Sequence, residues 1–213
     1  MNEIITVIDV ETTGLDHTAD HITEIAAIRA EVSADGSGGF KIREIGRFQT
    51  YVALPDGVVI PPEITELTRI SADDLHGAPT LERALTALWY FARHSYIIAH
   101  NAPFDLAFVI RIFSTIGYSG EFVCTRALSR LVDPEESARL ADVCARYGVP
   151  LNGHHRAMND VDATLHVYAI LREKAEINGI TYRNVVIDSE ERPLKYVPPG
   201  AIVRTIKRTE GAA

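Results

Sequence analysis

Four carboxylates and one histidine are the residues of this chain best suited to chemistry. Asp9 and Glu11 lie in Ile8-Asp9-Val10-Glu11-Thr12-Thr13-Gly14, Asp105 closes His100-Asn101-Ala102-Pro103-Phe104-Asp105, and His155 stands five positions before Asp160. Each acid adjoins an apolar run, where an unpaired charge is costly to bury. Clustered carboxylates occupy such places chiefly when a divalent cation neutralises them, and all-oxygen donors suit hard cations. A histidine with a pKa near ~6.5 adds a base that can take a proton from water at neutral pH.

The elements that carry these groups can be read around them. Ile4-Ile5-Thr6-Val7-Ile8 is apolar and rich in β-branched residues, which predicts a central strand. Residues two apart on a strand share a face, roughly 7 Å apart at ~3.3 Å per residue, so Asp9 and Glu11 project together. Taken alone they read as metal ligands or as two solvated acids at a strand end. Thr12-Thr13-Gly14 predicts a tight turn where a ligand can approach backbone. Asp105 falls in the first turn of an expected helix, where an acid also serves simply to complement the dipole. Asn101 reads equally as a capping residue and His100 as a hydrogen-bonded structural histidine. His155 is expected in a loop loosened by Gly153, with Asp160 near the start of the following helix. His154 is a rival base, and Asp162 a rival ligand turned ~200° away on that helix.

Further strands are expected at Ile22 to Val32, Phe40 to Ala53, Tyr96 to Ala99 and Phe122 to Cys124, the first two forming an antiparallel meander with the Ile4–Ile8 strand. The loop between the second and third is Asp35-Gly36-Ser37-Gly38-Gly39, and the Pro-rich segment Leu54 to Glu63 also reads as a loop. Ser71 and Asp74 predict a capped turn. Helical spacing of Leu81, Ala84, Leu85, Leu88, Trp89 and Ala92 follows Thr80 as N-cap. Pro103 is expected to open a helix that Gly117 stops. Leu140, Val143, Cys144 and Tyr147 mark another, ended by Gly148 and Pro150, and Val161, Leu165, Tyr168 and Leu171 the next. Three strands followed by alternating helices and strands predict a mixed-sheet α/β domain.

Bulk properties narrow the class. The 213 residues are 46% hydrophobic and 23% charged, enough for one sizeable core. No apolar run approaches the ~20 residues of a membrane span, and the first residues lack a secretion signal. Cys124 and Cys144 read as reduced core thiols, so a cytoplasmic location is expected. A net charge of −8 argues against a simple nucleic-acid binder but leaves open an enzyme that grips a nucleic-acid end through metal ions.

Together the three motifs, Asp9-Val10-Glu11-Thr12-Thr13-Gly14-Leu15, His100-Asn101-Ala102-Pro103-Phe104-Asp105 and His155-Arg156-Ala157-Met158-Asn159-Asp160, resemble the DEDDh exonucleases. That family is typified by the proofreading epsilon subunit of bacterial DNA polymerase III. The resemblance covers about residues 4–175. It implies a ribonuclease H-like fold, a mixed five-stranded sheet flanked by helices, and 3′→5′ release of nucleoside monophosphates. It also implies two Mg²⁺ or Mn²⁺ ions about 3.5–4 Å apart. Asp9 would bridge them, Glu11 and Asp160 would complete one site, Asp105 would support the other, and His155 would be the base. Thr13, Gly14 and Leu15 match the turn that contacts the terminal nucleotide in relatives, with Asn101 and Phe104 at that pocket.

Thr12-Thr13-Gly14 looks more like the DNA-directed branch, because oligoribonuclease-like relatives tend to carry methionine in that turn. DNA is therefore favoured over RNA as the partner, with a DNA polymerase subunit as a possible second one. The alternatives are an exoribonuclease of the same fold and a non-catalytic polymerase-associated module. A zinc hydrolase fails on spacing, since neither HExxH nor paired cysteines accompany the histidines. The expected exonuclease domain is 1–178. Residues 179–213 are an extension without an assigned role, with strands expected at Tyr182 to Ile187 and Ala201 to Ile206, and oligomeric state is left open.

Overall fold

The computed structural model describes residues 3–35, 39–115, 120–153, 155–190 and 192–206. Its elements are β1 (Glu3–Thr12), β2 (Ile22–Ala34), β3 (Phe40–Tyr51), α1 (Pro62–Thr68), α2 (Leu81–Ala92), β4 (Tyr96–Ala99), α3 (Ala102–Thr115), β5 (Phe122–Cys124), α4 (Thr125–Val132), α5 (Leu140–Tyr147), α6 (Ala157–Ile177), β6 (Val185–Ser189) and β7 (Ile202–Ile206). Strands β3-β2-β1-β4-β5 form one mixed sheet in that order. The first three are antiparallel, and β4 and β5 run parallel to β1.

The strand patterns explain these places. β1 and β2 are buried on both faces, so they are apolar nearly throughout, as central strands must be. β3 alternates charged and apolar residues because it is an edge, with Lys41, Arg43 and Glu44 exposed. One sheet face, including Ile5, Val7, Ala26 and Ile28, packs against Val161, Leu165, Tyr168 and Leu171 of α6. The other, including Ile8, Val10, Ile25 and Ala27, packs against Leu85 and Leu88 of α2 and Leu106 and Val109 of α3.

Several boundaries differ from expectation. α1 begins at Pro62, inside the segment expected to be loop, because proline at a first helical position costs no hydrogen bond. α4 was not anticipated: at 8 residues it is too short for its spacing to stand out. α3 opens one residue before Pro103. Thr80 precedes α2 but makes no side-chain cap bond. The expected capped turn does form, the Ser71 N–H and hydroxyl both donating to Asp74 Oδ2, at 2.8 and 2.6 Å. Gly117, His154 and the tip of the β2–β3 loop, 36–38, lie outside the described residues.

The segment beyond α6 packs back onto the domain. Tyr182, Val185 and Val186 are buried. Asn184 extends the β5 edge: its N–H donates to the Phe122 carbonyl at 2.9 Å, and its side-chain oxygen accepts from the Phe122 N–H at 2.8 Å. Arg183 and Arg172 both pair with Glu3 at the start of β1. β6 then pairs with β7 in a separate two-stranded parallel sheet whose Ile202 and Val203 remain exposed. Truncating Val186 to alanine removes fully buried apolar surface, so V186A should cost about 2 kcal/mol in urea unfolding. A loss under about 0.5 kcal/mol would mean that the extension is not docked in solution.

Candidate active site

The carboxyl half of β1 presents Asp9 and Glu11 on the α6 side of the sheet. A register irregularity between Glu11 and Thr12 re-aims the strand end there, a common device beside active sites. α6 brings Asp160 in its first turn, and Asp9, Glu11 and Asp160 each place a carboxylate oxygen within 4.8 Å of the others. Asp105, in the first turn of α3, reaches β1 from the other side of the sheet and accepts the Val10 N–H at 3.2 Å. Its charge raises the Asp9 pKa, which places it in the same electrostatic cluster.

Burial and mutual repulsion set the protonation of this cluster. Asp9 is pushed well above the ordinary carboxylate range, first by burial and then by Asp105, Glu11 and Asp160. Burial, with Asp160 and Glu24 next, raises Glu11 to about 8. Burial raises Asp105 to about 7 against the opposing pull of the Val10 hydrogen bond. Without a cation these acids ionise only above the ordinary carboxylate range.

His155 lies in the wall of the same cleft, on a left-handed backbone with φ 67°. Its backbone N–H donates to Asp160 Oδ2 at 3.3 Å, which ties the histidine loop to a cluster carboxylate. His100 is occupied elsewhere, its ring nitrogens 3.0 Å from Thr125 Oγ1 and 2.9 Å from the Ala138 carbonyl. Asp162 points away and pairs with Arg47 at 2.6 Å. The rival His154 lies outside the described residues.

The cleft has a volume of about 440 Å³. Gly14, Leu15, Asn101 and Phe104 line it beside the acids. Leu15 is 67% exposed at its mouth, and Phe104 packs on Phe108 with ring centroids 5.1 Å apart. Thr13 departs from the expected arrangement. Its side chain is buried and bonds Asp20 Oδ1 at 3.1 Å, and Thr12 lines the cleft instead. Gly14 is required because the Asp20 carboxylate packs where a Cβ would stand.

Glu24 is a further acid that sequence reading missed. It sits opposite Glu11 in the β1–β2 register and is fully buried. Gln49 Nε2 donates to it at 2.7 Å, Arg156 Nη2 at 3.3 Å and the Ala157 N–H at 3.3 Å. Glu24 thereby supplies from β2 the cap that α6 lacks in its own sequence, since the side chain of Arg156 at the N-cap position does not cap the helix. The available signal was one charge in the apolar run Ile22–Ile28.

The profile of the exonuclease family RNase_T matches residues 6–168. The chain belongs to this exonuclease family. It is therefore a nuclease-type hydrolase with a ribonuclease H-like fold, as the mixed sheet and flanking helices indicate. It is 30% identical over 202 residues to the PolC-type DNA polymerase III of Clostridium perfringens and 28% identical over 212 to that of Staphylococcus aureus. The matches cover 90% and 96% of this exonuclease chain but only 13% and 14% of those polymerases. Among solved structures, Escherichia coli exonuclease I bound to a dT13 oligonucleotide superposes with a TM-score of 0.69 at 18% identity, covering 83% of this chain and 42% of that one. Exonuclease X with 5′ overhanging duplex DNA gives 0.57 at 23%, covering 84% and 95%. These two likenesses concern the fold.

The exonuclease cluster fits divalent metal: its donors are all oxygen, close together and mutually repulsive. Because Glu11 and Asp105 have folded-state pKa values raised above their ordinary 4.5 and 3.8, the native protein holds protons that the unfolded chain has released. Their contribution to stability is complete below pH ~4 and is lost as pH rises through about 7 and about 8. With EDTA, Tm should fall between pH 6 and 9, and stabilisation by Mn²⁺ should grow over the same window as protons cease to compete. Asp9→Asn should raise the metal-free Tm at pH 8 and abolish the Mn²⁺ shift. A metal-free Tm that is flat across this range, with an equal Mn²⁺ shift at each pH, would count against the cluster as a metal site.

Proposed function

We propose that this exonuclease removes nucleotides from DNA 3′ ends in the 3′→5′ direction, releasing nucleoside 5′-monophosphates with the help of two divalent cations, Mg²⁺ or Mn²⁺. The observation that carries this reading is the convergence of Asp9, Glu11 and Asp160 oxygens within 4.8 Å, with Asp105 beside them and His155 in the same cleft. Asp9, which feels Asp105, Glu11 and Asp160 together, would face both cations, Glu11 and Asp160 one of them, and Asp105 the other. When bound, such cations stabilise the attacking and leaving oxygens of an in-line displacement.

The residues themselves account for the other requirements. An imidazole nitrogen of His155 takes the proton of the attacking water, and the backbone bond to Asp160 ties the loop that carries this residue to the cluster. Leu15 and Phe104 offer apolar contact to the terminal base and sugar, and Asn101 offers a polar partner. Thr12 and Gly14 bring backbone close to that nucleotide; Thr12 Oγ1 is spent on the Gly14 carbonyl at 2.5 Å, which stiffens the turn.

DNA rather than RNA is supported by the PolC-type DNA polymerases and by the DNA-bound exonucleases that share the fold. Proofreading beside a polymerase, and hence a cytoplasmic location, is the role those polymerase relatives favour. Among the described residues no helix is long and apolar enough to cross a membrane. A 5′-labelled single strand and a duplex with a mismatched 3′ end should be shortened stepwise with Mg²⁺ or Mn²⁺, and the matching RNA more slowly. His155→Ala should lower kcat by about 10²–10⁴-fold, and Asp9→Ala should abolish cleavage while circular dichroism stays native. Uncut DNA with wild-type protein and either metal would overturn the reading.

A further inference from the structure

The chain carries a net charge of −8, yet one cavity of about 410 Å³ is walled by four arginines, Arg126, Arg130, Arg139 and Arg192. No aspartate or glutamate lines it among the described residues. Arg126 and Arg130 come from α4, Arg139 precedes α5, and Arg192 belongs to the segment after β6. Three of them, Arg126, Arg139 and Arg192, also line the carboxylate cleft, so the two spaces adjoin.

The cations are not there to satisfy local acids. Among the described residues no carboxylate lies in ion-pair range of any of the four, whereas nearby Asp133 is taken by Arg146 at 3.2 Å and Asp142 by the Ser137 hydroxyl at 2.5 Å. Arg130 is steadied by the Glu136 carbonyl at 3.1 Å, which leaves other guanidinium donors to turn inward. Burial, Arg192 and Arg130 all depress the Arg126 guanidinium, as expected of crowded like charges with no anion between them. Such crowding costs stability unless an anion is bound, and the planar forks of arginine match phosphate oxygens. The remaining wall, with Pro103, Ile187 and Leu194, is apolar enough to lie against a sugar.

We infer that this basin is a second phosphate site, built jointly by α4 and the C-terminal extension, that holds a backbone phosphate of the strand upstream of the bond being cut. The inference rests on the nuclease reading for the identity of that strand. It assigns the extension a part in gripping substrate: Arg192, with Ile187, Ser189 and Leu194, forms the side of the basin opposite α4.

The test compares a single-stranded decanucleotide with the 4-nitrophenyl ester of thymidine 5′-monophosphate, which fills the cleft without reaching upstream. Arg130→Ala, at a residue that lines the basin but not the carboxylate cleft, should lower kcat/KM on the decanucleotide about tenfold more than on the ester. In Ca²⁺, oligonucleotide affinity measured by fluorescence anisotropy should lose about one unit of salt slope for Arg130→Ala and again for Arg192→Ala. Arg83→Ala, an exposed arginine on α2, is the control and should change neither. Thermal melts identify any variant that is merely unfolded, in which case Arg130→Lys, retaining a cation, should recover part of the loss.

Equal losses on both substrates with unaltered salt slopes would overturn the basin while leaving the nuclease reading intact. Arginine-dependent binding of an oligonucleotide that wild-type protein never cuts would overturn the nuclease reading and keep the basin. A defect confined to inhibition by free thymidine monophosphate would assign the basin to the released product and overturn the upstream-strand inference.

Discussion

Everything in this molecule turns on like charges held together at the end of a central strand. Asp9, Glu11 and Asp160 crowd within 4.8 Å, and Asp105 adds its charge from the opposite face of the sheet. Left to themselves such groups would separate or neutralise. The surrounding fold prevents separation: β1 is buried between β2 and β4, and α6 and α3 clamp its two faces. Neutralisation by protons or by cations then becomes the choice the site must make, which is what couples its protonation to metal.

The same constraint explains why the supporting contacts are so polar. Glu24 adds a fifth negative group to the neighbourhood, but Arg156, Gln49 and the Ala157 N–H surround it. A buried acid so satisfied serves as an anchor, while its charge still adds to the repulsion that raises Glu11 and Asp9. Beyond the acids the field reverses, and the arginines of α4 and the extension face the continuation of the cleft. Acidic and basic walls thus adjoin, and the overall charge of −8 conceals the second.

Much of the scaffold was legible because periodicity is local. The apolar run of β1, the four residues of β4 and the spacing of Leu85, Leu88 and Ala92 in α2 all announce themselves within a few positions. The shared face of Asp9 and Glu11 followed from strand geometry alone. α1 and α4 escaped notice, one behind a proline-rich entry and the other too short to show a period. Glu24 and Arg156 escaped for a different reason: their contact spans 132 positions, and nothing local marks either as a partner. The arginines are likewise gathered from separate segments. Asp105 reads locally as a dipole partner or a ligand, and its contact with Val10 is visible only in the fold, as is the place of His155 within the cleft.

The cap that β2 lends to α6 has a consequence for how the catalytic apparatus assembles. The first turn of α6 carries Asp160 and follows His155, and it has no cap of its own. A helix start of this kind gains its missing acceptor only after the strand bearing Glu24 is in place. The placement of Asp160 and of the candidate base is therefore tied to the pairing of β2 with β1, which holds Glu24 in position. Whatever loosens that pairing removes the acceptor at the start of α6 as well, so a defect at the far side of the sheet is felt at the cleft.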